Sequence, residues 1–124
     1  MFRTERLDHV ALRVSNLGRS TSWYQGVLGL EERARYQDLT GRGAPPVLCS
    51  GDACVALFPC ENDEPIAPFD GHIAFRLSRG NFNQAQDHLR QRGMTFKYVE
   101  YATVHSLYFP DPDGYEIELS TYER

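Results

Sequence analysis

The sequence predicts an α+β fold built from two tandem βαβββ modules. The first observation is an internal repeat, in which residues 8–15 and 71–78 share His, Ala, Arg and Ser at a constant offset of 63. The second is that both segments alternate apolar and polar residues, which is typical of half-buried strands. We therefore expect a single domain of residues 1–124, with modules at about 5–61 and about 70–122.

The first module begins with a strand and a helix. The strand at residues 7–14 alternates strictly between apolar and polar side chains. The Ser15-Asn16 pair offers an N-cap for a helix at residues 17–28, and Gly29 is expected to end that helix. The remaining strands are expected at residues 30–36, 46–49 and 53–58, with a mobile loop at 41–46.

The second module repeats this order after a linker at about 62–69. Its first strand, at residues 71–78, has the same alternation as its counterpart in the first module. Asn81 is expected to cap a helix that ends before Gly93. Strands follow at residues 96–101, 106–109 and 115–121, and the sequence Asp-Pro-Asp-Gly at 111–114 predicts a turn between the last two.

Composition and charge argue against several classes of protein. With 41% hydrophobic and 24% charged residues, the chain has the balance of a globular domain. The formal charge is −4 and no basic cluster stands out, so we expect no nucleic-acid partner. Because no apolar run could span a bilayer and no secretory signal is visible, we expect no membrane partner and a cytoplasmic location. Cys49, Cys54 and Cys60 form no CxxC pair, so we expect three reduced cysteines.

The residues most suited to chemistry are two histidines at equivalent positions of the repeat. His9 and His72 lie on the polar faces of their strands. In the last strand, Glu116 and Glu118 point to the histidine side if Ile117 faces the core. Two imidazoles and one carboxylate leave coordination positions open, which suits divalent iron or manganese. A closed structural zinc site would require a fourth ligand.

Four segments follow the pattern of a known family, and they are residues 7–15, 23–30, 71–78 and 106–119. They resemble the vicinal oxygen chelate superfamily, which includes glyoxalase I, extradiol dioxygenases, fosfomycin-resistance proteins and bleomycin-binding proteins. The resemblance implies a cup-shaped mixed sheet around one divalent metal, Fe²⁺ or Mn²⁺ in preference to Ni²⁺ or Zn²⁺. It also implies that His9, His72 and Glu118 are the metal ligands. A small-molecule substrate and a homodimer, in which two chains can share the ligands, are expected as well.

Two residues near the last strands are assigned catalytic roles. Tyr108 lies ten residues before Glu118, where members of the family place a tyrosine near the substrate. His105 precedes that strand and is expected to act as an acid or base at the rim of the site. The alternatives are a tyrosine that only satisfies its hydroxyl beside the site, and a solvated loop histidine.

Three further residues are candidates for binding substrate. Arg13 and Arg76 either hold an anionic substrate or pair with Glu116 across the sheet. Phe58 is expected at the position of the first module that corresponds to Glu118. An apolar side chain there lines the site but cannot bind a metal, which argues against the proton transfer of glyoxalase I.

The sequence leaves several functions open. The preferred one is a metal-dependent enzyme with extradiol dioxygenase-like chemistry, acting on a substrate that chelates the metal through two adjacent oxygens. The alternatives are a lyase or isomerase similar to glyoxalase I, a thiol transferase, and a non-catalytic module that binds a small molecule or antibiotic. A fosfomycin enzyme is disfavoured, because the family's phosphonate-binding arginine would fall beyond Arg124 and Ala11 replaces a small hydroxyl residue.

Overall fold

The computed structural model describes residues 1–33 and 45–124. The chain divides into two compact units, Met1–Ile66 and Ala67–Arg124. Each unit contains one helix and one four-stranded sheet in the order β-α-β-β-β. The predicted α+β class with two βαβββ modules is therefore confirmed. Among the described residues, no helix is long and apolar enough to cross a membrane.

The first unit consists of β1 (Val10–Val14), α1 (Leu17–Leu28), β2 (Glu31–Arg33), β3 (Val47–Ser50) and β4 (Ala53–Pro59). The sheet order is β1-β4-β3-β2, in which β1 and β4 are parallel and the other pairs are antiparallel. As predicted, Asn16 caps α1, and its side chain accepts a hydrogen bond from the backbone N–H of Arg19 at 2.9 Å. Gly29 ends the helix with a left-handed φ of 68°.

The strands of this unit differ from the predicted ranges at their ends. β1 begins at Val10 rather than at the start of the predicted range 7–14, so His9 directly precedes the strand. The second half of the strand predicted at 30–36 and most of the loop predicted at 41–46 lie outside the described residues.

The second unit consists of β5 (His72–Arg76), α2 (Arg79–Gln91), β6 (Lys97–Glu100), β7 (His105–Pro110) and β8 (Glu116–Thr121). The sheet order is β5-β8-β7-β6, with β5 and β8 parallel and the other pairs antiparallel. The predicted turn between β7 and β8 is present. Oδ1 of Asp111 accepts the backbone N–H groups of Asp113 at 2.8 Å and Tyr115 at 2.9 Å, which closes the turn.

The start of α2 differs from the prediction, which placed the N-cap at Asn81. Ser78 is the N-cap, and its hydroxyl accepts a hydrogen bond from the backbone N–H of Asn81 at 3.2 Å. Because a serine hydroxyl already satisfies this N–H, the helix begins at Arg79, one turn earlier than predicted. The backbone N–H of Asn81 donates to the capping hydroxyl of Ser78, so Asn81 is not itself the N-cap.

Each helix packs on its own sheet over a buried apolar layer. In the first unit, Leu12, Val14, Tyr24, Val55 and Leu57 are at most 2% exposed. In the second unit, Phe82, Leu89, Leu107, Phe109 and Ile117 are at most 2% exposed. Burial of these side chains is the main driving force for the fold. The alternate residues of the same strands therefore point away from the helix, and His72 and Glu118 are among them.

The cysteines differ from the prediction of three reduced thiols. Cys49 and Cys54 form a disulfide, whereas Cys60 is a free cysteine. β3 and β4 form a hairpin whose register places Cys49 directly opposite Cys54, with their Cα atoms 4.1 Å apart. The two-residue turn at Gly51-Asp52 fixes this register. The prediction was wrong for this pair because it considered only CxxC spacing, and a hairpin brings more distant cysteines together.

Candidate metal and substrate site

The face of the second sheet opposite α2 collects polar residues at neighbouring positions. Glu118 of β8 lies between Ala74 of β5 and Tyr108 of β7. His72 of β5 lies opposite Glu116 of β8. Residues that oppose each other in neighbouring strands project from the same face of a sheet. His72, Glu116, Glu118 and Tyr108 therefore share one surface, which we call the open face.

His72 and Glu118 are close enough to bind the same ion. Nε2 of His72 lies 2.9 Å from Oε1 of Glu118. Glu116 approaches the other ring nitrogen, Nδ1, only to 3.9 Å. The Glu118 side chain is 12% exposed, whereas that of Glu116 is 50% exposed. The two carboxylates therefore differ: Glu118 is largely buried and lies next to Nε2 of His72, whereas Glu116 is half exposed.

The carboxylate of Glu118 is held by two serines at its other oxygen. The hydroxyl of Ser106 donates to Oε2 of Glu118 at 2.8 Å, and the hydroxyl of Ser120 donates to the same atom. Burial alone raises the pKa of Glu118, but the hydroxyls of Ser120 and Ser106 and the nearby His72 outweigh it. The net result is a pKa below the ordinary value, so Glu118 is ionised at neutral pH.

Tyr108 lies beside both of these residues. Its ring meets that of His72 edge to face, with centroids 5.8 Å apart. Its hydroxyl lies 3.1 Å from the hydroxyl of Tyr101. The hydrogen bond with Tyr101, partial burial and the charge of Glu118 raise the pKa of Tyr108 to about 12. Tyr108 is therefore a neutral hydrogen-bond donor at physiological pH.

We expect the ionisation of Tyr108 to be visible as a late step in an ultraviolet titration of the tyrosines. Ordinary tyrosines ionise near pH 10, whereas Tyr108 should ionise near pH 12. Because the raised pKa favours the protonated phenol in the folded state, the associated stability is present below about pH 10 and is lost as the pH rises towards 12. Tyr108→Phe should remove this step, and an unchanged titration of the variant would contradict the assignment.

A cleft of about 560 Å³ opens on this face of the second unit. Its lining includes His72, Glu116, Tyr108, Tyr101 and Lys97. Lys97 lies directly opposite Tyr108 in the β6–β7 register. The volume is in the range of pockets that hold small molecules. The cleft therefore places the predicted metal ligand His72 in the same pocket as a lysine and two tyrosines.

The donor set of the open face fits a divalent metal. An imidazole nitrogen and a carboxylate oxygen are ligands that manganese, iron, nickel and zinc accept. Glu118 is ionised and its second oxygen is hydrogen-bonded, as is usual for carboxylates that bind metals. In the part of the chain that the structure describes, no three His, Cys, Asp or Glu side chains form a group that could hold a metal ion. His72 and Glu118 are thus a pair of potential ligands and need at least one more.

His9, the third predicted ligand, belongs to the first unit and directly precedes β1. Its Nδ1 lies 2.8 Å from Oδ2 of Asp8. In metal sites, a carboxylate at one ring nitrogen orients the imidazole and favours metal binding by the other. This contact is compatible with Nε2 of His9 as a ligand, and the metal-binding role of His9 stays a prediction.

The register of the first sheet corrects the position assigned to Phe58. In the second sheet Glu118 lies opposite Ala74, whose counterpart in the repeat is Ala11. Ala11 lies opposite Ala56, so Ala56 corresponds to Glu118, and Phe58 lies two residues further on. Alternation puts both Ala56 and Phe58 on the face opposite Val55 and Leu57, and only the pairing register selects Ala56. The position remains apolar and cannot supply a fourth ligand.

His105 does not share the open face with Tyr108. It is an odd number of residues away on β7, and Nδ1 of its ring lies 3.0 Å from Nη2 of Arg79 on α2. The hydroxyl of Tyr98 also lies 3.0 Å from this nitrogen. His105 therefore links the helix to β6 on the opposite side of the sheet, and the structure does not bring it to the cleft.

The two arginines have different surroundings from those expected. The guanidinium of Arg76 lies 4.3 Å above the ring of Tyr122, and no ion pair joins it to Glu116 within residues 45–124. Arg13 is exposed and lies opposite Phe58 in the β1–β4 register. The expected pairing with Glu116 is therefore wrong for Arg76. A role of either arginine in binding substrate stays a prediction.

Sequence reasoning missed four residues of this face, namely Lys97, Tyr101, Ser106 and Ser120. Strand alternation offered a signal for two of them. Ser120 is two residues from Glu118, and strand alternation alone places it on the same face. Ser106 is two residues from Tyr108 and is placed on this face in the same way. The position of Lys97 requires the pairing register of β6 with β7, which a single sequence does not give.

Comparisons with known proteins agree with this architecture. The sequence model of the Glyoxalase/Bleomycin resistance protein/Dioxygenase superfamily matches residues 6–119. A glutathione transferase, FosA of Serratia marcescens, is 32% identical over 118 residues, which cover 93% of this chain and 79% of the relative. The fosfomycin resistance protein FosX of Mesorhizobium loti superposes with a TM-score of 0.70 at 25% identity, covering 96% of this chain and 93% of FosX. A glyoxalase family protein of Bacillus anthracis has a TM-score of 0.80 at 20% identity and covers 98% of both chains.

Proposed function

This chain belongs to the Glyoxalase/Bleomycin resistance protein/Dioxygenase superfamily, and on that premise we propose that it is a metal-dependent enzyme that adds a thiol to a small, anionic electrophile. The observation that carries the proposal is its 32% identity, over nearly the whole chain, to a glutathione transferase. Thiol transfer was an alternative at the sequence level, and the similarity to a glutathione transferase favours it over the dioxygenase chemistry that the sequence predicted first.

The metal would be held by Nε2 of His72, Oε1 of Glu118 and Nε2 of His9. The first two atoms already lie 2.9 Å apart on the open face, and both residues have partners that orient them. Three protein ligands leave coordination positions for a substrate. When bound, a divalent ion would act as a Lewis acid towards a substrate that chelates it through two adjacent oxygens.

The side chains of the cleft would bind and orient this substrate. Tyr108 remains protonated, because its pKa is raised to about 12, and its hydroxyl can donate a hydrogen bond to a substrate oxygen that gains negative charge. Lys97 lies opposite Tyr108 in the β6–β7 register, and its ammonium group can pair with a carboxylate, phosphate or phosphonate group. When the Tyr108 proton goes to the substrate, Tyr101 would donate its own proton to the Tyr108 oxygen and so keep that hydroxyl in place.

The proposed substrate class follows from the size and charge of the cleft. A volume of about 560 Å³ admits a small molecule, and Lys97 favours an anionic one. Fosfomycin is one member of this class, and Ala11 is a departure that makes a different anionic electrophile the better expectation. The enzyme is expected to act as a homodimer, as inferred from the family resemblance.

The proposal is tested by incubating the Mn²⁺-loaded protein with glutathione and a panel of epoxides that carry a phosphonate, a carboxylate or no charge. We expect a thiol adduct of an anionic epoxide. Lys97→Met should raise KM for that substrate by about 10- to 100-fold, since it removes one charge-assisted contact. The neutral epoxide serves as the control, and its KM should change little.

Two outcomes would contradict the proposal. If the protein consumes oxygen with a catechol but forms no thiol adduct, it is a dioxygenase. If the protein binds the anionic epoxide but adds neither any of the thiols tested nor water to it, the protein is a binding module.

A further inference from the structure

Two buried hydroxyls lie behind the carboxylate of Glu118. Ser106 is fully buried and Ser120 is 5% exposed, and the two residues oppose each other in the β7–β8 register. Their oxygens are 3.0 Å apart. Both lie within hydrogen-bonding distance of the same carboxylate atom, Oε2 of Glu118. Buried polar groups are nearly always hydrogen-bonded, and here two hydroxyls have the same acceptor.

The hydrogen-bond arrangement follows from the number of protons available. Each hydroxyl has a single proton, and an ionised carboxylate only accepts hydrogen bonds. If Ser106 and Ser120 both donate to Oε2, both protons are used and the buried carboxylate is partly compensated for its lost hydration. A hydrogen bond between the two serines would use one of these protons and leave Oε2 with a single donor.

The two oxygens of Glu118 consequently have different surroundings. Oε2 accepts from the two buried serines, whereas Oε1 lies 2.9 Å from Nε2 of His72, a residue that lines the cleft. A glutamate side chain has several rotamers of similar energy, and fixing one of them normally costs conformational entropy. The two hydroxyls fix this rotamer before any ligand arrives.

We propose that Ser106 and Ser120 are positioning residues that hold Glu118 so that Oε1 is presented, together with His72, to the metal. This inference rests on the proposed function, because it assumes that Glu118 binds an ion. The proposed function gives no role to Ser106 and Ser120, whose side chains would touch neither substrate nor metal. Residues that support a metal ligand in this way commonly contribute about 10- to 100-fold to metal affinity.

The test is the Mn²⁺ dissociation constant, measured by calorimetric titration on the full chain. Ser106→Ala and Ser120→Ala should each weaken Mn²⁺ binding by about 10- to 100-fold. Thr121→Val is the matched control, since Thr121 is 1% exposed on the same strand but on the other face of the sheet. It should bind Mn²⁺ as tightly as the wild type. The absorption spectrum of the Co²⁺-loaded protein should change in the alanine variants and not in the control.

A second variant distinguishes the effect of losing the hydroxyl from the effect of altered packing. Ser120→Thr keeps the hydroxyl on a β-branched side chain that strands accommodate, and it should retain most of the affinity that Ser120→Ala loses. Equal affinities in the wild type and both alanine variants would overturn the positioning role while leaving the metal site intact. A threonine variant that is folded but as weak as the alanine variant would also overturn it. If the wild type binds no Mn²⁺, the proposed function fails first and the inference fails with it.

Discussion

Glu118→Gln should weaken Mn²⁺ binding by at least about 100-fold and abolish thiol transfer, because it removes a ligand and not merely a residue that supports one. Glutamine has the same shape but carries no charge. Its amide cannot replace the carboxylate in either orientation: if the oxygen accepts from Ser106 and Ser120, the NH₂ group faces His72 and the ion. If the amide is reversed, the serine hydroxyls must turn to accept from the NH₂ group, and the ion meets a neutral oxygen in place of a carboxylate.

Glu116→Gln is the matched control for this prediction. Glu116 lies on the same strand and the same face, but its side chain is 50% exposed and reaches only Nδ1 of His72, at 3.9 Å. We expect a change in Mn²⁺ affinity of no more than a few-fold, as for an exposed charge pair. If Glu116→Gln abolishes Mn²⁺ binding and Glu118→Gln does not, the two carboxylates have been assigned the wrong way round.

His72→Ala and His9→Ala should each cause a loss of Mn²⁺ affinity as large as that of Glu118→Gln. Each removes one of the two imidazoles that we propose as ligands, and a histidine ligand cannot be replaced by a methyl group. Calorimetric titration at neutral pH measures the effect. Circular dichroism should show that the variants remain folded, since the side chains of both histidines are partly exposed, at 31% for His9 and 44% for His72.

His88→Ala provides the control for the two histidine variants. His88 lies on α2, away from the open face of the sheet, and we expect its replacement to leave Mn²⁺ affinity unchanged. A loss of affinity in His72→Ala alone, with His9→Ala like the wild type, would show that the second unit binds the ion without help from the first.

Much of the fold was predictable because the chain repeats one pattern. The alternation around His9 and His72 and the Asp-Pro-Asp-Gly turn at 111–114 identify the strands that matter most. The start of α2 was misplaced, because Ser78 and Asn81 are both good N-caps and local propensity cannot choose between them. The disulfide was missed for a different reason, since it depends on the hairpin register and not on the spacing of two cysteines.

The candidate site was predictable where side-chain alternation decides it. Alternation places His72, Glu118 and Tyr108 on one face once the strands are known. It also excludes His105 from that face, because His105 is an odd number of residues from Tyr108 on β7. Lys97 could not be found in this way, since its place in the cleft depends on which β6 residue pairs with Tyr108.

Reaction class was less accessible than the site. The same ligand trio and the same fold serve several chemistries, so neither geometry nor motif decides between oxygen activation and thiol transfer. The relatives altered the preference because sequence similarity to a transferase extends over both modules.

Metal binding by both His9 and His72 is tested most directly by a spin-echo measurement of Mn²⁺ bound to protein carrying ¹⁵N-labelled histidine. It counts the imidazole nitrogens attached to the ion. We expect two histidine nitrogens in the wild type, and one each in His9→Ala and His72→Ala at Mn²⁺ concentrations high enough to fill the weakened site. A wild type with no bound histidine nitrogen, or a count that neither substitution lowers, would contradict this expectation.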